Sequence, residues 1–321
     1  MSENRPDYLK TFSQVQSTDI NWLWYPYIAI GKITLLLGNP ENGKSDMVLD
    51  LISRLSKGKS LPDGTAIKGP MRSMYQIPAD CVSTVTEKLI SFGANRSNIM
   101  FIDEHISGNL ELDDPKIEEI LIKAAPKFVV IDDFQRYISS GNSAHVIDRT
   151  KLYMRQLSRW ATKYHCAVLI ICQFTMKTGK SRAYQSISCT EAINHARSVL
   201  QVETDTNNPD LKIIKHLKNN LGLKGENLYY QFDIDEKFCW RESSSIDTAE
   251  DKHPVMNKTD AAACIVYQAL KKGMIPSTTI TEAFHSLSVG DGTLRNVKEQ
   301  LGIKAVRKDG QWYWSLPDDH Q

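Results

Sequence analysis

The sequence predicts an α/β fold: a mostly parallel sheet with helices on both faces, antiparallel hairpins added late in the chain, and a small helical domain after them. Three observations predict it. Short apolar runs of strand length alternate with amphipathic stretches of helical period, the pattern of a buried parallel sheet crossed by helices. A glycine-bounded loop joins the first such run to the first such helix. A polar stretch at 242–258 then separates these elements from three further helical segments and a hairpin signal. The chain of 321 residues has material for one large core and a small second domain. The division predicted is a polar lead-in at 1–20, a sheet domain at 21–241, a linker at 242–258 and a C-terminal domain at 259–317.

In chain order, Trp22, Leu23, Trp24, Tyr25, Pro26, Tyr27 and Ile28 form an aromatic cluster that reads as cover for one edge of the core. The strand-like run Ile33–Leu37 leads into Gly38-Asn39-Pro40-Glu41-Asn42-Gly43-Lys44-Ser45, which meets every fixed position of G-x-x-x-x-G-K-[ST]. Glycines at both ends let successive backbone N–H groups turn inward toward phosphate oxygens. Lys44 then reaches the terminal phosphates and Ser45 ligates Mg²⁺. Met47, Val48, Leu51, Ile52 and Leu55 recur at helical spacing, so the loop opens into a helix whose N-terminus favours an anion. With a nucleotide there, an alternative role for one upstream ring is to stack on the base.

Ser73–Ile77 reads as the second strand, ended by Pro78; Val82–Phe92 as a helix; Ile99–Ile102 as a strand; and 114–125 as a helix with acidic residues in its first turn. Phe128-Val129-Val130-Ile131 followed by Asp132 describes a buried strand delivering a carboxylate to the C-terminal edge of the sheet, where Asp132 would hold Mg²⁺ through a water. The plainer alternative is an aspartate capping the following helix. Val146–Tyr164 is a long amphipathic helix, and Cys166–Cys172 is a fifth strand with Gln173 at its end. Phe174–Ser188 carries Lys177, Lys180 and Arg182, and reads either as a solvated loop or as a loop meeting DNA phosphates. Strands at 199–203, 211–217 and 229–234, separated by turn signals, read as hairpins extending the sheet.

After the linker, a helix capped at Thr259 places Ile265, Val266, Ala269 and Leu270 on one face. A second helix covers about Thr281–Leu287 and a third Thr293–Gln300, with Leu294, Val297 and Leu301 inward and Arg295, Asn296, Lys298 and Glu299 outward. A hairpin from Lys304 to Leu316 carries Arg307 and Lys308 near its turn. This is winged-helix anatomy, which serves either DNA binding, through Arg295, Lys298, Arg307 and Lys308, or protein docking.

Thirty-nine basic residues against 38 acidic leave a formal charge of +1, so no global field draws the chain to nucleic acid or membrane, and any such binding is local. The six cysteines (Cys81, Cys166, Cys172, Cys189, Cys239 and Cys264) form no C-x-x-C pair and read as reduced structural thiols rather than metal ligands. No apolar run approaches the roughly 18 to 20 residues that span a bilayer, and the N-terminus is polar, so a soluble cytoplasmic protein is expected.

From Trp22 to Phe238 the chain resembles the RecA-like P-loop ATPases of plasmid and phage replication, in particular RepA-type hexameric helicases and related mobile-element ATPases. The anchors are the aromatic lead-in, Gly38–Ser45, the strand ending in Asp132, and Ala196-Arg197-Ser198-Val199-Leu200; the tail Trp312-Tyr313-Trp314-Ser315-Leu316-Pro317 is similar to that of many winged-helix-bearing relatives. The resemblance implies ATP and Mg²⁺ as ligands, a homo-oligomer in the form of a hexameric ring or filament, DNA as partner, and work alongside replication or recombination proteins. It also implies departures. The glutamate that polarises the attacking water in relatives falls at Ala79-Asp80, leaving Asp80 as the nearby carboxylate. The Lys-Asn-Arg-x-Gly stretch that reaches a neighbour's nucleotide reads Lys218-Asn219-Asn220-Leu221-Gly222, keeping the lysine and losing the arginine. Gln173 stands where relatives often carry a histidine. An arginine finger is worth about 10³ to 10⁵ in rate, so the expectation is good ATP binding with slow hydrolysis. The alternatives are a nucleotide-gated DNA-binding scaffold and a protein-interaction adaptor.

Overall fold

The computed structural model describes residues 11–15, 19–108, 110–138, 143–173, 190–233, 237–242, 266, 270, 273–286, 291–308 and 310–315. The chain divides into two compact units, Met1–Ile246 and Asp247–Gln321.

Unit 1 is built on a nine-stranded sheet. Its strands are β3 (Ile33–Gly38), β4 (Ser73–Gln76), β5 (Ile99–Met100), β6 (Phe128–Ile131), β7 (Ala167–Gln173), β8 (Ser198–Thr204), β9 (Leu211–Asn219), β10 (Leu228–Phe232) and β11 (Phe238–Arg241), in the order β11-β10-β9-β8-β3-β7-β6-β4-β5. From β8 to β5 every neighbouring pair is parallel; β8-β9, β9-β10 and β10-β11 are antiparallel. The parallel sheet and its antiparallel extension are as the alternating pattern predicts.

The period-2 geometry of the strands sorts the core into two layers. Ile33, Leu35, Leu37, Met74, Val129, Ile131, Val168 and Ile170 face helices α4 (Pro115–Ala124) and α6 (Ser143–Tyr164). Leu36, Tyr75, Phe128, Val130, Leu169, Ile171, Leu200 and Val202 face helix α1 (Lys44–Lys57). In α1, Met47, Val48, Leu49, Leu51, Ile52 and Leu55 are buried, each contributing on the order of 2 kcal/mol before the entropic cost of ordering it. Gly58, at φ 71, ends the helix in the left-handed conformation and donates its N–H to the Arg54 and Leu55 carbonyls.

Several elements differ from the sequence expectation. The aromatic lead-in forms a hairpin of its own, β1 (Trp22–Trp24) with β2 (Ile28–Ala29). Trp24 and Tyr27 are buried in the α1 layer, and Trp24 Nε1 donates to Asp63 at 3.0 Å, so these two rings act as core cover. The strand expected at 99–102 stops at Met100, because the Ile102 N–H is taken by the Gln76 side chain at 3.0 Å instead of by a neighbouring strand. Helix α2 (Val82–Ser91) is where expected. Two single-turn helices, α3 (Glu104–Ser107) and α5 (Gln135–Ile138), and the helical residues 190–195 are additional, as is β11. Asp114 sits just before α4 as its cap, accepting from the Lys116 N–H at 2.8 Å.

Unit 2 holds β12 (Ile275–Pro276), α7 (Ser277–Ser286), α8 (Asp291–Gln300), β13 (Lys304–Lys308) and β14 (Gln311–Ser315), the strands forming an antiparallel sheet ordered β12-β14-β13. Its core is Val266, Leu270, Ile280, Leu294, Val297, Ile303 and Trp314. Helix α7 begins four residues before the expected start, directly after Pro276, at Ser277, whose carbonyl accepts the Thr281 hydroxyl one turn on. The helix expected from Thr259 and most of the expected linker lie outside the described residues, apart from Val266, Leu270 and Glu242.

Candidate functional site

The C-terminal ends of the parallel strands meet at one edge of the sheet, where doubly wound folds place their ligands. Gly38 ends β3 and lies level with Gln173 on β7 and Val202 on β8. The loop after Gly38 turns through two left-handed residues, Glu41 at φ 66 and Gly43 at φ 71, before α1 begins. A side chain at Gly43 would bring its Cβ to 2.8 Å from the Phe232 ring, so strand β10 packs directly on the loop. The Tyr230 hydroxyl donates to the Asn42 carbonyl, and Asn42 Nδ2 donates to the Val202 carbonyl at 3.1 Å. Behind them, Trp240 on β11 donates to Asp50 of α1 at 2.7 Å. The antiparallel strands therefore clamp both the loop and its helix.

Lys44 is 6% exposed, and its ammonium donates to the Gly38 carbonyl at 3.0 Å and the Asn39 carbonyl at 2.6 Å. Burial lowers its pKa, while the charges of Asp132 and Asp133 oppose that shift. The Ser45 hydroxyl donates to Asp132 Oδ2 at 2.8 Å, and the Tyr75 hydroxyl donates to the same oxygen at 2.6 Å. No side chain caps the N-terminus of α1, which leaves its first-turn N–H groups directed at the loop. A buried ammonium, uncapped helical N–H groups and a hydroxyl bonded to a carboxylate are the donor set of a phosphate and a divalent cation, so the residues present fit Mg-nucleotide.

Other proposed residues are placed less centrally. Asp80 lies in a 3₁₀ turn, Ala79–Cys81, above β4; it is exposed and accepts a weak contact from the Cys81 thiol at 3.7 Å. Gln173 offers its backbone carbonyl to Gln135 Nε2 at 2.8 Å. Lys218 pairs with Val199, which lies level with Leu35. That puts it three residues down and two strands across from Gly38, about 14 Å by ordinary strand geometry. Its ammonium donates to the Ile193 carbonyl at 2.7 Å, and burial lowers its pKa. Asn220 is exposed at the same far edge. In unit 2, Arg295, Arg307 and Lys308 are exposed, and Lys298 is half-buried with its ammonium 5.2 Å above the Trp314 ring. Arg307 lies 5.9 Å from the Trp312 ring. Lys177, Lys180 and Arg182 are outside the described residues.

Sequence reasoning missed Tyr75, Phe232 and Tyr230, and also a polar cluster at the same edge in which Glu104 receives Arg136 and, at 3.1 Å, Gln76 Nε2. The position of Tyr75, near the end of the strand flanking the one that leads to Asp132, was the available signal. Among the described residues, no group of three or more His, Cys, Asp or Glu could hold a metal, and Cys81, Cys166, Cys172 and Cys239 are reduced thiols.

This sheet and loop define a RecA-like P-loop protein. The chain belongs to the AAA domain family, whose model matches residues 2–180. It is similar to the DNA repair protein RadA of Aquifex aeolicus (strain VF5), at 25% identity over 199 residues; that match takes in 61% of this chain and 39% of the relative, so the chain spans well under half of that protein's length. Among solved structures it is similar to the KaiC-like protein PH0186 from Pyrococcus horikoshii OT3, with a TM-score of 0.49 and 11% identity over 71% of this chain and all of that one. It is also similar to the ATPase domain of G40P, with a TM-score of 0.46 and 14% identity over 66% of this chain and 85% of that one. Among the described residues no helix is long and apolar enough to cross a membrane.

Proposed function

We propose that the chain is a RecA-like ATP-binding protein that assembles with copies of itself and acts on DNA, in replication or recombination of a mobile element, with slow hydrolysis. The observation that carries nucleotide binding is the Ser45–Asp132 bond of 2.8 Å beside a buried Lys44, which joins the loop to the neighbouring strand's carboxylate. Lys44 exchanges the Gly38 and Asn39 carbonyls for phosphate oxygens, and Ser45 and Asp132 hold the cation. Bound Mg-ATP supplies the transferable phosphoryl group. Asp80, exposed above β4, is the carboxylate assigned to orient water, and Glu104 at the same edge is taken up by Arg136 and Gln76.

Lys218 and Asn220 lie at the edge of the sheet remote from their own loop, so they serve a nucleotide only across a subunit boundary. Helices α7 and α8 with the β13–β14 hairpin are read as a winged helix, with Arg295, Lys298, Arg307 and Lys308 toward DNA phosphates. The RadA relative is named for DNA repair, which agrees with a DNA partner. A second reading, a nucleotide-gated DNA-binding scaffold with little turnover, is favoured by the exposed Asp80 and by asparagine at 220.

Steady-state ATP hydrolysis with and without single-stranded DNA separates the two, comparing the natural chain with Asp80→Glu, Ala79→Glu and Asn220→Arg. DNA-stimulated turnover in the natural chain supports the motor. Little turnover, recovered when a glutamate and the arginine are both restored, supports the scaffold. Nucleotide binding that survives Lys44→Ala refutes both.

A further inference from the structure

Tyr75 lies on the face of β4 that packs against α1 and is 2% exposed. Its hydroxyl and that of Ser45 donate to one and the same oxygen, Asp132 Oδ2, at 2.6 Å and 2.8 Å. A carboxylate oxygen offers two lone pairs to donors, so these two hydroxyls fill Oδ2. Among the described residues no donor is bonded to Oδ1. The Asp132 carboxylate can therefore rotate only by breaking both bonds, one of them to a ring locked in the core.

We propose that Tyr75 is a positioning residue for the metal-holding carboxylate: with Ser45 it saturates Oδ2, fixes the rotation of Asp132, and leaves Oδ1 as the oxygen offered to a cation-bound water. The inference rests on the nucleotide-site reading above. Groups that orient a metal ligand without touching the metal are worth about 10- to 100-fold in metal affinity.

The test is Tyr75→Phe in the full chain, which removes the hydroxyl and keeps the ring. Equilibrium binding of fluorescent ADP is measured twice, with Mg²⁺ and with EDTA. Tyr153→Phe serves as the control, because Tyr153 is also a buried phenol bonded to a carboxylate, that of Glu111, in the opposite core layer. The expected result is an affinity about tenfold weaker in Mg²⁺ for Tyr75→Phe, unchanged in EDTA, with Tyr153→Phe like the natural chain in both. An equal Mg²⁺-to-EDTA ratio in Tyr75→Phe and the natural chain overturns the proposal, whether affinity is kept in both media or lost in both, since the hydroxyl then acts only through packing. A natural chain that binds no ADP in either medium overturns the nucleotide-site reading itself, whereas one that binds ADP equally with Mg²⁺ and with EDTA keeps that reading but overturns the cation-holding role of Asp132, and the Tyr75 proposal with it.

Discussion

Replacing Gly43 by alanine sets two costs against the loop. The first is backbone: φ is 71 there, and a residue with a Cβ in the left-handed region loses roughly 1–2 kcal/mol. The second is steric. The new Cβ would stand 2.8 Å from two atoms of the Phe232 ring and 3.3 Å from Tyr230, and overpacking of this kind costs about 1–3 kcal/mol. Together Gly43→Ala should lower stability by about 2–5 kcal/mol. Removing the obstructing ring separates the two costs: in a Phe232→Ala background the same change should cost only about 1–2 kcal/mol, the backbone share. The assay is urea unfolding followed by tryptophan fluorescence, with Trp24 and Trp160 as buried reporters in the sheet unit, run as a double-mutant cycle. An equal cost in both backgrounds would falsify the packing of β10 on the loop. A cost below about 0.5 kcal/mol in the natural background would show that Gly43 is not held left-handed.

Three further outcomes are expected. His216 accepts the Gly225 N–H on Nδ1 at 2.9 Å, while its Nε2 lies 3.0 Å from the Ser198 hydroxyl, which itself donates to the Tyr27 carbonyl. The ring is thus held neutral, and burial lowers its pKa to about 4. Because the folded value lies below the unfolded one, its stabilisation is complete above about pH 6.5 and is lost as pH falls toward 4, at most about 3 kcal/mol and less with residual solvent screening. Urea midpoints against pH should show this limb, and His216→Gln should flatten it. Neutralising Arg295, Arg307 and Lys308 together should reduce the slope of log affinity for DNA against log salt by about 0.7–0.9 for each phosphate no longer neutralised; an unchanged slope removes this face from the DNA interface. Trp240→Phe, which leaves Asp50 with Arg54 as its remaining partner at 2.6 Å, should lower stability by about 1–2 kcal/mol, and a neutral result in the same urea assay would deny β11 its part in holding α1.

The features legible in the sequence were local ones. The loop from Gly38 to Ser45 could be read because its chemistry depends on glycine, lysine and serine at fixed short spacings, and α1 because its apolar residues repeat within a few turns. The parallel strands were legible as apolar runs. Ile131-Asp132 was legible as a strand end carrying a carboxylate, for the same reason. Boundaries failed where a distant side chain intervened, as when Gln76 took the Ile102 N–H and ended β5. Only the folded chain reveals which strands are neighbours, and with that everything reaching the loop from far along the sequence. Tyr75 meets Asp132 across 57 residues and Tyr230 meets Asn42 across 188. Lys218 is carried to the edge of the sheet opposite its own loop by the antiparallel turn between β8 and β9. Periodicity reports which face of a strand is buried but not what lies against it, because partner choice is set by the packing of the whole sheet.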